Sequence, residues 1–262
     1  MTLFAVAEEC ARSWGVALDG ETIVTPRSLV AFAGDVVIKV QLRDRESEHE
    51  SDALRAWRGR GAVRLLAADE ERHALLLERC RPGTPLSELP QDDALGAFVG
   101  LLPRLWRPEG GTPFRPLADE AAWWAESLPR HWQEWGRPFE RRLLDAALDA
   151  LRELAPTQGE QMLVHQDLHA DNVLRAEREP WLAIDPKPLV GEREFGLAPI
   201  VRSFELGGAR RDVLHRLDRL TRELELDRER ARGWALAQTL AWSFDAEYHP
   251  THVETARWLL QA

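Results

Sequence analysis

His165-Gln166-Asp167-Leu168-His169-Ala170-Asp171-Asn172 is followed by Val173-Leu174-Arg175, a polar turn and Trp181-Leu182-Ala183-Ile184-Asp185. Asp167 and Asn172 stand five residues apart, in the order His-x-Asp-x-x-x-x-Asn. The two apolar runs around residues 177–180 have the pattern of a short hairpin, which would fold Asp185 back beside Asn172. Met162-Leu163-Val164 is apolar enough to anchor the entry, and His165 would brace the loop from below. Phosphoryl transfer asks for little more: one carboxylate to orient the attacking hydroxyl, and two oxygen ligands to hold Mg²⁺ on the β- and γ-phosphates. Asp167 fits the first role; Asn172 and Asp185 fit the second.

A different chemistry fits the same letters. His165, Asp167, His169 and Asp171 alternate, so an extended segment would project all four from one side. Imidazole and carboxylate together suit Zn²⁺ or Mn²⁺, as in a dinuclear hydrolase. Such a centre needs more ligands, and His215, His249 and His252 lie in helical or terminal contexts without ligand-like spacing. A plain solvated loop fits less well, since apolar strands flank the polar cluster on both sides.

The rest of the composition narrows the class. A chain of 262 residues buries a substantial core in one or two lobes. No apolar run is long enough to cross a bilayer, so no membrane partner is expected, and the first residues turn acidic too early for a signal peptide. Cys10 and Cys80 imply no disulfide framework, and a reducing, cytoplasmic setting is the default. A formal net charge of −10 argues against nucleic acid as the main partner and suits a cationic small molecule. The oligomeric state is left open. Nearly all the bases are arginine, with lysine only at Lys39 and Lys187. A lysine in an apolar strand then marks a place where a compact ammonium is required.

Helical periodicity over 5–14 precedes short β-rich runs at 21–25, 28–33 and 35–41, punctuated by Pro26 and Gly34. A charged helix is expected over 44–58, with strands at 63–67 and 73–78. Arg81-Pro82-Gly83-Thr84-Pro85 has the composition of a connector, after which helical patterns dominate. Strand-rich then helix-rich is the order of an α+β, two-lobed, protein-kinase-like fold, with a nucleotide-binding lobe at 1–80 and a catalytic and acceptor-binding lobe at 81–262. Lys39, near the end of a strand, needs anions: nucleotide phosphates, and a carboxylate from the following helix. Glu50 is the expected partner, with Glu46 and Glu48 as alternatives. With no Gly-x-Gly-x-x-Gly or Walker A sequence, the strand pair around Gly34 is expected to cover the phosphates. The backbone of Glu78, Arg79 and Cys80, where a buried strand enters the connector, is placed to meet adenine.

Taken together, these residues resemble the aminoglycoside phosphotransferase family, and most closely its streptomycin 6-phosphotransferase and hydroxyurea phosphotransferase branch. The resemblance runs through residues 53–66 (Ala-Leu-Arg-Ala-Trp-Arg-Gly-Arg-Gly-Ala-Val-Arg-Leu-Leu), through 75–83, 164–174 and 184–191, and so spans both lobes in order. It implies a kinase using ATP and Mg²⁺ to phosphorylate a hydroxyl. In it Asp167 matches the catalytic base, Asn172 and Asp185 the metal ligands, and Lys39 the phosphate-binding lysine. One departure stands out: Phe195-Gly196-Leu197-Ala198 has glycine where the family often carries an acid that helps brace the catalytic loop. Lys187 is either a further phosphate contact or a surface residue.

For the acceptor, Trp106, Trp123, Trp124, Trp132 and Trp135 have the spacing of helix-packing residues more than of ligand contacts. A flat guanidinium can nevertheless stack on an aromatic face, and Glu205, Asp245 and Glu247 are available counter-charges. Trp242 and Asp245, close together in the sequence, are the expected acceptor contacts. An antibiotic kinase, a metabolic kinase for a sugar or amino alcohol, and a non-catalytic nucleotide-binding protein all remain compatible with these residues.

Overall fold

The computed structural model describes residues 2–108, 113–244 and 247–262. Helix α1 (Leu3–Trp14) opens the chain, capped by the Thr2 hydroxyl at 3.2 Å from the Ala5 amide. It lays Val6, Ala7, Cys10 and Ala11 on a five-stranded sheet ordered β1-β2-β3-β5-β4. The strands are β1 (Thr22–Val24), β2 (Ser28–Ala33), β3 (Val36–Gln41), β4 (Leu65–Asp69) and β5 (Ala74–Glu78). Strand periodicity decides which residues meet the ligand. Leu29, Ala31, Ile38, Val40 and Leu76 pack under α1, while Val30, Phe32, Val37, Lys39 and Leu77 line the cleft on the opposite face. Lys39 is thus carried into the cleft by alternation alone.

Helix α2 (Glu50–Trp57) is shorter than the 44–58 pattern suggests. Asp44 Oδ1 accepts from the Glu46 and Ser47 amides at 2.8 and 2.7 Å, which folds the segment before α2 into turns. Those turns send Arg45 to Glu120 at 2.8 Å and Glu46 to Lys187 at 3.3 Å. A run of charges has no apolar stripe to hold it as helix, so its own side chains settle the matter. Within α2, Ala53, Leu54 and Trp57 join the larger core rather than the sheet's own, and the Trp57 indole donates to the Leu105 carbonyl at 2.8 Å.

Beyond the connector come α3 (Gln91–Leu105), β6 (Arg107–Pro108), β7 (Arg115–Pro116), α4 (Leu117–Glu134) and α5 (Arg141–Leu154). Next are β8 (Met162–Val164), β9 (Val173–Arg175), β10 (Trp181–Ala183) and β11 (Leu189–Gly191). The chain closes with α6 (Ala198–Arg202), α7 (Arg210–Glu223), α8 (Arg228–Ala241) and α9 (Pro250–Leu260). Helix α8 is almost wholly buried, with α5, α6, α7 and α9 packed around it. β9 and β10 form the expected antiparallel hairpin, Leu174 opposite Leu182. β8 pairs with β11 in a second small sheet, so the polar segment between β8 and β9 is fixed at one end by the buried strand β8 and at the other by buried Val173 of the hairpin.

No helix among the described residues is long and apolar enough to cross a membrane.

Candidate active site

The segment from His165 to Asn172 is not extended, and this separates the two readings of its alternating residues. Gln166 sits at φ 64° and residues 170–172 form a 3₁₀ turn. His165 is buried, stacked on Trp57 at 6.0 Å, with Nε2 2.9 Å from the Ile184 carbonyl. His169 turns the other way, to Glu205. The four side chains share no ion-sized space; among the described residues, the group close enough to hold a metal is His169, Asp171 and Glu205.

Because a carbonyl only accepts, His165 Nε2 carries the proton, and the ring is neutral. Burial pushes its pKa down to about 4, against the pull of Asp167. An unfolded histidine takes its proton near 6.5, so stability is lost as pH falls from about 6.5 to about 4. The loss amounts to about 3 kcal/mol in full. His165→Asn should remove this part of the acid limb in denaturant unfolding at stepped pH. An unchanged slope would contradict it.

The hairpin does bring Asn172 and Asp185 together. The Ile184 amide donates to the Asn172 carbonyl at 3.0 Å, setting Asp185 beside Asn172. Asn172 Nδ2 donates to the Asp167 carbonyl at 2.9 Å, which leaves its amide oxygen available to a cation. Asp185 is held at φ 56°, a left-handed conformation uncommon for a residue with a side chain and a recurrent sign of a functional position. An amide oxygen and a carboxylate are hard donors that suit Mg²⁺.

Across the cleft, Lys39 Nζ lies 2.8 and 2.7 Å from the two Glu50 oxygens and also contacts the Asp185 carboxylate. Gln41 Nε2 donates to Glu50 at 2.9 Å. Glu50 is therefore the helix partner; Glu46 is engaged with Lys187 instead. Burial raises the Glu50 pKa despite Lys39, whereas Lys39 holds Asp185 below its ordinary range against the effect of burial. Lys39 stays fully charged between its two anions.

Lys39 and Asp185 line a cleft of about 560 Å³ together with Glu78, Arg79 and Cys80. The Glu78 amide donates to the Arg64 carbonyl and the Arg79 amide to the Asp35 carbonyl, so neither of these two donors is open towards the cleft. Burial drives the Cys80 thiol up to about 12, which keeps it protonated and apolar in character. The Gly34 turn does not cover the cleft as expected. With φ 63° it sits at the connector end of its hairpin, where its carbonyl accepts from Arg81 Nη2 at 2.7 Å. The turn that overhangs the Lys39 end joins β1 to β2. There Thr25 and Ser28 line the cleft, with their hydroxyls 2.9 Å apart. Hydroxyls flanking a proline between two short strands were the available sequence signal.

Asp167 carries two cations that spacing did not reveal. Lys187 Nζ is 3.2 Å from one oxygen and Arg202 Nη2 is 3.8 Å from the other. Both cations also flank Trp242, at 4.7 and 4.5 Å from its ring. Trp242 is thus linked to Asp167 through these two cations, which already use its ring. Asp245 lies outside the described residues. Trp124 and Trp132 are core residues, while Trp123 and Trp135 are exposed.

Comparison with known proteins gives a consistent picture. A family model described as aminoglycoside/hydroxyurea antibiotic resistance kinase matches residues 14–245. The chain is 40% identical over 247 residues to a streptomycin 6-kinase from Streptomyces griseus, covering 90% of this chain and 80% of that one. It is 42% identical over 230 residues to a hydroxyurea phosphotransferase from Kitasatospora aureofaciens, covering 86% and 66%. Among solved structures it resembles a thermostable mutant of aminoglycoside phosphotransferase APH(4)-Ia in ternary complex with ADP and hygromycin B. That match has a TM-score of 0.65 at 16% identity, over 98% of this chain and 96% of that one. At that identity the likeness concerns the fold, which is the two-lobed kinase-like one.

Proposed function

Because the chain belongs to the aminoglycoside/hydroxyurea antibiotic resistance kinase family, we propose that it transfers the γ-phosphoryl group of ATP to a hydroxyl of a streptomycin-like aminoglycoside or of hydroxyurea. The chain is a phosphotransferase acting on an alcohol group, and it uses ATP. The observation that carries the reading is the meeting of Lys39, from the sheet, with Asp185, from the helical lobe, in a cleft that both line together with Asp171 of the loop that carries Asp167 and Asn172.

In this reading adenine sits against the connector at Glu78, Arg79 and Cys80. Lys39, aligned by Glu50, takes the phosphates. Asn172 and Asp185 are the residues to hold Mg²⁺, which when bound neutralises charge on the β- and γ-phosphates. Asp167 accepts a hydrogen bond from the acceptor hydroxyl and aims it at the γ-phosphorus, while Lys187 and Arg202, one on each carboxylate oxygen, orient it. The acceptor, a cationic small molecule, lies towards Trp242. The two free cysteines and the need for ATP support a cytoplasmic setting.

ADP release should be measured over streptomycin, other aminoglycosides, hydroxyurea, sugars and amino alcohols, with ³¹P NMR of the product. A phosphate ester on an aminoglycoside or hydroxyurea supports the proposal. Turnover only with sugars or amino alcohols, or nucleotide binding without any turnover, contradicts it.

A further inference from the structure

The catalytic loop needs an anchor, because a left-handed turn at Gln166 and a 3₁₀ turn at 170–172 leave backbone donors outside any strand ladder. Part of the anchorage comes from α8, where Gln238 Nε2 donates to the Gln166 carbonyl at 3.0 Å. The rest comes from a side chain far along the sequence. Glu205 Oε1 accepts from the Ala170 amide at 2.8 Å and the Ser203 hydroxyl at 2.7 Å, and lies 2.9 Å from His169 Nδ1. Ser203, itself 2% exposed, reinforces the same amide at 3.1 Å.

These contacts are one bond away from the reacting groups. The His169 amide donates to the Asp167 carbonyl at 3.0 Å, the Asn172 amide donates to the His169 carbonyl at 3.0 Å, and Asn172 Nδ2 closes the ring onto Asp167. Gly196 has no side chain to offer the loop, and a Cβ built on it would face Trp106 and Val164 rather than His169. We propose that Glu205, supported by Ser203, is a positioning residue for Asp167 and Asn172, supplying from the α6–α7 connection the carboxylate brace that residue 196 lacks.

Several donors converging on one carboxylate distinguish this from an exposed ion pair, which contributes little. The group is held ionised down to about pH 2, even though burial acts the other way. Nor is the cluster better read as a metal centre: Glu205 and His169 are bonded to each other, and Asp171 contacts the Ser87 hydroxyl. Sequence alone offers Glu205 as a counter-charge for a cationic acceptor, but its near oxygen is already committed to the loop.

The proposal rests on the kinase reading for its effect on turnover, so the test has one arm without turnover. Turnover, ATP KM and amide exchange of the 165–172 peptide should be compared in wild type, Glu205→Ala and Glu205→Gln. Glu205→Ala is expected to lower kcat by about 10- to 100-fold and to speed exchange of the Ala170 amide by a similar factor, with ATP KM within about twofold. Glu205→Gln keeps an acceptor oxygen and should recover most of both. Exchange and turnover within about twofold of wild type in Glu205→Ala would overturn the proposal, as would a Gln variant as slow as the Ala variant with unprotected exchange. Should Glu205→Ala fail to fold, the Gln variant carries the test: modestly faster exchange supports the brace and unchanged exchange refutes it. If wild type phosphorylates nothing, the functional proposal fails while the exchange arm still decides the brace.

Discussion

Asp167→Ala is expected to lower turnover by about 10²- to 10⁴-fold while leaving ATP affinity nearly unchanged. The separation follows from the layout. Asp167 is held by Lys187 and Arg202 and is not among the residues lining the cleft, whereas Lys39, Asp185 and the connector line it, the side proposed for the nucleotide. Removing the carboxylate also leaves two cations facing each other without their shared anion. Asp167→Asn is therefore the cleaner companion, retaining the shape and an acceptor oxygen while losing the charge. Steady-state kinetics with isothermal titration of ATP would check both. Turnover within a few-fold of wild type in either variant would remove Asp167 from the mechanism.

Lys39→Ala should damage both stability and catalysis. Glu50 is 1% exposed, and without the ammonium Gln41 is its remaining side-chain partner among the described residues. Breaking a buried pair from one side typically costs about 3–5 kcal/mol, because the remaining charge is stranded. Loss of the phosphate contact should separately reduce turnover by about 10²- to 10³-fold, the scale of a single preorganised electrostatic group. The two effects can be told apart with the double variant Lys39→Ala/Glu50→Ala. It removes the stranded carboxylate and should regain much of the unfolding free energy while staying inactive. If denaturant unfolding shows Lys39→Ala as stable as wild type, the pair is not the buried strut described above.

What could be read from the sequence was what local geometry dictates. The spacing of Asp167, Asn172 and Asp185 reflects one loop and one hairpin, so a short stretch contained it. Lys39 and Glu50 were legible because a strand's alternation and the first turn of the next helix bring them together. Features that depend on distant folding were hidden. Lys187 and Arg202 reach Asp167, and Glu205 reaches Ala170, through the packing of later segments that carry no short-range signal. The 44–58 helix was overread for the same reason: Asp44, Arg45 and Glu46 find partners in turns and in the other lobe. Gly34 attracted the phosphate-covering role because glycine marks turns, yet which turn faces the cleft is a matter of sheet order.

The central claim is that nucleotide phosphates lie between Lys39 and the pair Asn172 and Asp185, with Asp167 facing the γ-phosphate. A crystal structure of the protein with a non-hydrolysable ATP analogue and Mn²⁺, located by its anomalous signal, tests this directly. The account predicts the ion on Asn172 and Asp185, Lys39 on the phosphates, and Asp167 opposite the terminal phosphate. An ion held instead by His169, Asp171 and Glu205, or an analogue bound away from Lys39, would contradict it.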